Sequence, residues 1–153
     1  MQIYAAAIPD APASATTSLS GTNVVVSWTA PNNHGLPITS YKITFKYAST
    51  YEELTAYCDG TSSTVISSTT CNVPMSVFAA SPFFLNIGDL IVARVQTYNL
   101  LGWGSNSADN TAGATYATNP SASVTNLASG SATSETAIQL TWTGVTTSPA
   151  NGG

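Results

Sequence analysis

The sequence predicts an all-β protein built as an antiparallel β-sandwich. Three observations predict it: apolar residues recur with period two in short runs, clusters of Pro, Gly, Asn and Ser separate the runs, and no stretch shows helical spacing. Val24, Val26 and Trp28 alternate with Val25, Ser27 and Thr29. Tyr41, Ile43, Phe45 and Tyr47 alternate with Lys42, Thr44 and Lys46, and Ile91, Ala93, Val95 and Thr97 with Val92, Arg94 and Gln96. Successive side chains on a strand point to opposite faces, so each run offers one buried and one solvated side.

The elements follow in order. Pro9-Asp10-Ala11-Pro12 breaks the chain as an extended linker or edge segment. A first strand is expected near 13–19 and a second over 23–29. Pro31-Asn32-Asn33-His34-Gly35-Leu36-Pro37 is a turn cluster, and a third strand runs from about 38 to 47. Shorter strands near 54–58 and 63–69 flank Asp59-Gly60, a pair favoured in hairpin turns. Residues 72–86 hold two prolines and an apolar set that includes Val73, Phe78 and Phe83, and are expected to loop over one end of the core. A strand over 89–99, a turn at Gly102-Trp103-Gly104 and a last strand near 113–118 complete the unit.

The pattern then restarts. Ile138, Leu140 and Trp142 repeat the spacing of Val24, Val26 and Trp28, 114 residues on, and Tyr116 before Pro120 parallels Tyr4 before Pro9. A self-match at a domain-sized period indicates tandem domains. Residues 9–118 form the first, and 119–153 hold only the first two strands of an incomplete second. Residues 1–8 lack a basic start and a long apolar middle, so they are not read as a signal peptide. They are expected to be the terminal strand of a preceding or neighbouring domain.

Composition narrows the function. The chain has 153 residues, of which 7% are charged, and a net charge of −4 from three Lys/Arg and seven Asp/Glu. This balance argues against nucleic acid as a partner, because a phosphate backbone needs clustered Lys and Arg. No run of about 18 apolar residues exists, so no membrane-spanning helix is expected. Ser and Thr number 43, which gives a hydroxyl-rich, nearly neutral surface. With 43% hydrophobic residues the chain still has a core to bury, unlike a disordered segment.

Several motifs resemble a fibronectin type III domain. Pro9-x-x-Pro12 opens it, Trp28 ends the second strand, and Gly35-x-Pro37-Ile38-x-x-Tyr41 leads into the third. The most specific match is Leu85-x-x-Gly88, followed by Val95-x-x-Tyr98-Asn99-x-x-Gly102-x-Gly104-x-x-Ser107. The resemblance covers about 9–118, and its opening recurs over about 120–144. It implies an immunoglobulin-like sandwich of seven strands, common in extracellular tandem arrays, that binds or spaces rather than catalyses. Ile91 stands where the family usually carries a tyrosine whose hydroxyl pins a corner, so that bond cannot form. The Cys58–Cys71 pair is not general to the family.

Few residues suit chemistry. An even cysteine count in a secreted sandwich suggests one disulfide between Cys58 and Cys71; the alternative is two buried thiols in a cytosolic domain. His34, the single histidine, sits in a turn with no acidic neighbour in sequence and reads as a solvated loop residue rather than a triad member. Glu52 and Glu53 diverge on an extended chain, and the aspartates are scattered across turns. Calcium between domains at Asp10 or Asp109 is a minor alternative, so no metal site and no cofactor are assigned. Trp103, between two glycines, either covers its own domain's core or stacks on a sugar or a neighbouring domain. No Asn-x-Ser/Thr sequon is present; the Ser/Thr abundance invites O-glycosylation, with edge-strand hydroxyls free of glycans as the equal alternative.

These readings converge on a non-enzymatic structural module of an extracellular fibril or cell-surface appendage, made of tandem or strand-complemented sandwiches. Its partners would be copies of itself or flanking domains, through Ile3, Tyr4 and Ile8 on one side and Ile138, Leu140 and Trp142 on the other. The alternative is a protein- or carbohydrate-binding accessory domain of a larger secreted protein, with Trp103 as its binding residue.

Overall fold

The computed structural model describes residues 6–119, 123–146 and 152. The chain is an antiparallel β-sandwich. One sheet has the order β1-β2-β5, from Thr16–Ser20, Asn23–Ser27 and Thr70–Pro74. The facing sheet has the order β4-β3-β6-β7, from Thr50–Glu53, Ser40–Tyr47, Ala93–Asn99 and Gly102–Trp103. A separate two-stranded sheet pairs β8, Thr125–Ser129, with β9, Leu140–Thr143.

Alternation decides what lies inside. Tyr41, Ile43 and Phe45 of β3 and Ala93, Val95 and Thr97 of β6 are buried, while the residues between them are half-exposed. They face Val24 and Val26 of β2 and Cys71 and Val73 of β5. Phe78 fills one end, edge-on to Phe45 at 5.4 Å and to Phe83 at 5.2 Å. At the other end Trp28 meets Tyr41 edge-on at 5.1 Å. The indole Nε1 of Trp28 is buried and, among the described residues, has no hydrogen-bond partner.

The connection after β4 differs from the sequence expectation. Residues 63–69 are not a strand: Ser63–Ser68 form a short helix, α1, closed by Thr69 in the left-handed conformation at φ 51°. Nor is 54–58 a strand, since β4 ends at Glu53 and Leu54 O accepts from the amides of Tyr57 and Cys58. The cause is tertiary. Cys58 and Cys71 are disulfide-bonded with Cα atoms 5.3 Å apart, so the intervening chain must double back. An extended seven-residue strand would span roughly 20 Å and find no partner there. Asp59 starts the turn by accepting from the Thr61 amide and hydroxyl, and Val65 of α1 caps the core.

The span 72–86 also holds more structure than a loop. It begins within β5 and continues as a 3₁₀ turn over Met75–Ala79, which inserts Phe78. Gly102-Trp103 is not the turn but strand β7, with Tyr98 paired to Trp103; the reversal is at Leu100-Leu101. The expected strand near 113–118 is reduced to one bridge, Leu90 to Thr115, with backbone bonds from Ile91 N to Ala114 O and Tyr116 N to Asp89 O. Here the chain crosses from the β6 edge to β1, and Ala114 N donates to Thr17 O. Gly113 permits the crossing, because a Cβ there would stand 2.6 Å from Thr17 O.

Buried Asn110 secures the corner at Ile91. Its Oδ1 accepts from Ala93 N at 2.7 Å, and its Nδ2 donates to Ile91 O at 3.1 Å and Ala112 O at 3.0 Å. Ile91 itself is core. The side-chain amide thus holds strand to crossover in a place where a phenolic hydroxyl bond is absent.

Candidate functional site

Two surfaces stand out from the neutral, hydroxyl-rich exterior. The first is the β8–β9 hairpin. Ser129 pairs with Leu140 and Ala128 with Thr141, and a bulge between Thr125 and Ala128 includes Asn126 at φ 54°. Its connecting loop is tied by polar bonds, with Gln139 Oε1 accepting from Ala132 N and Gln139 N donating to Thr133 Oγ1. Its apolar side chains, by contrast, are uncovered. Leu127 is 65% exposed, Ile138 81%, Leu140 52% and Trp142 58%. Their counterparts in spacing, Val24, Val26 and Trp28, are buried. The difference lies in partners: β2 is flanked by β1 and β5 and faced by the second sheet, whereas among the described residues β9 pairs only with β8.

Ile8 is half-exposed and belongs to no strand. The adjoining backbone is tied to the sandwich, since Asn99 Nδ2 donates to Ala7 O at 2.8 Å and Thr97 Oγ1 to Asp10 O at 3.1 Å. Ile3 and Tyr4 lie outside the described residues.

The second surface is the outer face of the β4-β3-β6-β7 sheet. Lys42, Lys46 and Arg94, all the basic residues of the chain, project there. Asp109 gathers two of them: Arg94 Nε reaches Oδ1 at 2.5 Å and Lys46 Nζ reaches Oδ2 at 3.4 Å, while the Tyr51 hydroxyl donates at 2.8 Å. Burial alone raises the Asp109 carboxyl, but the Tyr51 bond and the two cations outweigh it and hold it below the usual carboxylate range. Partial burial and the adjoining Asp109 carboxylate push the Tyr51 phenol up. Trp103 is at the opposite corner, 38% exposed, with its ring 5.0 Å from that of Tyr98 and 4.9 Å from Lys42 Nζ. It is therefore an outer-face residue, not a cover over the core.

The remaining expectations can be placed. His34 does meet a carboxylate, against the sequence reading: its Nε2 is 2.9 Å from Asp10 Oδ1, brought by a turn in which Asn32 Oδ1 accepts from His34 N. Asp10 is distant in sequence, which is why local inspection missed it. Both side chains are solvated. No group of three or more His, Cys, Asp or Glu is clustered to hold a metal among the described residues. Asp109, one of the two calcium candidates, is occupied by its cationic and phenolic partners. Among the described residues no helix is long and apolar enough to cross a membrane.

Strand order and core together define a fibronectin type III-like sandwich, three strands facing four. No protein-family profile and no curated protein matches the sequence. Among solved structures, the FN1–FN3 domains of chicken CNTN1 are similar at a TM-score of 0.50 and 16% identity, covering 91% of this chain and 43% of that one. The twitchin kinase region from C. elegans matches at a TM-score of 0.48 and 16% identity, over 69% of this chain and 16% of that one. The kinase of titin with its flanking domains matches at 0.47 and 19%, over 69% and 17%. The chain thus spans less than half the length of each. At these identities the likeness is one of fold, and the contactin match carries it.

Proposed function

We propose that the chain is a non-enzymatic structural module of an extracellular fibril or surface appendage, built from tandem or strand-complemented β-sandwich domains. The observation that carries this reading is the uncovered apolar face of β8–β9. Two strands alone are not independently stable in water, and an exposed apolar pair with a free edge invites another strand. In this reading residues 9–118 are one domain, 119–153 open a second, and 1–8 are the terminal strand of a preceding or neighbouring one. The missing cover on Ile138, Leu140 and Trp142 is then either further chain of the same domain or a strand donated by a neighbouring copy, with Ile3, Tyr4 and Ile8 as donor residues. The disulfide between Cys58 and Cys71 supports an oxidising, extracellular setting.

Sedimentation across a concentration series tests it, together with electron microscopy of the native material. Association should rise with concentration, fall in the Leu140→Lys/Trp142→Lys variant, and give filaments with a repeat set by the domain. A chain that stays monomeric throughout and is an isolated globule in its native form overturns the reading.

A second reading, a binding accessory domain, is favoured by one observation: Trp103 and Lys42 sit together on the outer sheet face.

A further inference from the structure

The three cations of this acidic chain are not equivalent. Lys46 and Arg94 are held by Asp109, and Glu53 pairs in register with Thr44 beside them. Lys42 has no carboxylate within salt-bridge distance among the described residues, and its ammonium lies 4.9 Å from the centroid of Trp103. It is opposite Gln96 in the ladder, and Gln96 Nε2 donates to Gly104 O at 2.7 Å, which ties β6 to the residue after β7. Tyr98 pairs with Trp103 across that edge, and its hydroxyl has no hydrogen-bond partner among the described residues. Among the described residues, this corner therefore combines a partly exposed indole, an ammonium with no carboxylate partner and a phenol with no hydrogen-bond partner on one sheet face.

We propose that the Trp103–Lys42–Tyr98 corner binds an acidic polysaccharide of the uronate type. Each sugar of such a polymer offers a ring with apolar C–H groups, a carboxylate and hydroxyls. The indole packs against the ring, the ammonium meets the carboxylate, and the phenol meets a hydroxyl. Charge complementarity selects the ligand class. The complementarity is local: the Lys42 ammonium at the indole has no carboxylate partner among the described residues and answers the carboxylate of a uronate, which a neutral glycan lacks. The inference gives the accessory-domain reading its ligand and rests on that reading. The structural-module reading does not depend on it.

Calorimetry of the whole chain with oligogalacturonate, at low and at raised salt, is the test, with the carboxyl-reduced neutral oligosaccharide as comparator. Binding should weaken with salt, fall roughly tenfold in Trp103→Ala and roughly threefold to fivefold in Lys42→Gln, and be absent with the neutral sugar. Lys42→Gln keeps the β-sheet backbone and guards against a folding artefact in Trp103→Ala, and thermal melts of both check it. Equal binding of the neutral sugar overturns the uronate assignment while leaving a carbohydrate-binding module. No binding of either sugar overturns the proposal together with the carbohydrate reading. Loss of self-association in Lys42→Gln without any sugar binding overturns it in favour of a second copy.

Discussion

Removing the Cys58–Cys71 bond is the sharpest perturbation of this fold. The two cysteines are 13 residues apart, and the segment between them contains α1 and the turn begun by Asp59. Closing a loop of this length restricts the unfolded chain by about 3 kcal/mol at 25 °C in the chain-entropy model. Both residues are also core: Cys58 is fully buried and Cys71 5% exposed. A single domain is stable by only about 5–15 kcal/mol, so the bond accounts for a large share. The melting point should fall by roughly 12–18 °C, at about 4–6 °C per kcal/mol for a domain of this size.

The assay is thermal and urea unfolding of the oxidised chain, the chain reduced with dithiothreitol, and Cys58→Ala/Cys71→Ala. If the effect acts through the unfolded chain, reduction and double substitution give similar losses, with the substitution somewhat worse for its lost packing. An unchanged midpoint on reduction would refute the reasoning and remove the main support for an oxidising environment. A loss in the double variant alone would show that packing, not loop closure, is what the pair contributes.

Three other outcomes are expected. Gly60→Ala should destabilise by about 2–4 kcal/mol, read as a lower urea midpoint; the new Cβ would fall 1.8 Å from Tyr41 O and break the 3.0 Å bond from Tyr41 N to Gly60 O. Thr69→Gly should stabilise by about 1 kcal/mol in the same assay, because a β-branched residue at φ 51° ends α1 where glycine is unstrained, and Thr69 still accepts from Trp28 N through its backbone. Acid should expose the Asp109 network: a carboxyl depressed in the folded state stabilises above its unfolded value of about 3.9 and loses that contribution as pH falls through the lower folded value. Urea midpoints against pH should therefore drop in this window, and Asp109→Asn should flatten the drop; an identical acid profile in the variant would rule out the network as its source.

How much was legible depended on whether a residue's environment was local. Period-two alternation over Tyr41–Tyr47 and Ala93–Asn99 placed β3 and β6 and their buried faces, because side-chain direction on a strand needs no tertiary information. The hydroxyl and β-branched residues near 63–69 favour a strand, but the closure by Cys58 and Cys71 overrides that preference and Ser63–Ser68 is helical. The site showed the same limit. Trp103 and the spacing of Ile138, Leu140 and Trp142 stand out in one dimension. The meetings of Asp10 with His34, Asp109 with Arg94 and Asn110 with Thr17 join residues brought together only by the fold. No sequence signal marks Asn110 as the corner clamp, because an asparagine followed by Thr-Ala-Gly reads as a turn.

The contrast between β2 and β9 bears most directly on function. Nearly the same apolar spacing is buried in one and exposed in the other, so composition cannot explain the difference. What β2 has, and β9 lacks among the described residues, is a second flanking strand and a facing sheet. On the proposed reading, the cover over Leu140 and Trp142 is an extended segment with apolar residues at alternate positions, in the way that Cys71 and Val73 stand opposite Val26 and Val24. A small rigid ligand satisfies neither the open backbone edge nor the apolar face, whereas a strand satisfies both at once. On that reading the hairpin calls for polypeptide, and the proposed Trp103 corner, with its ammonium and phenol, for a different kind of partner.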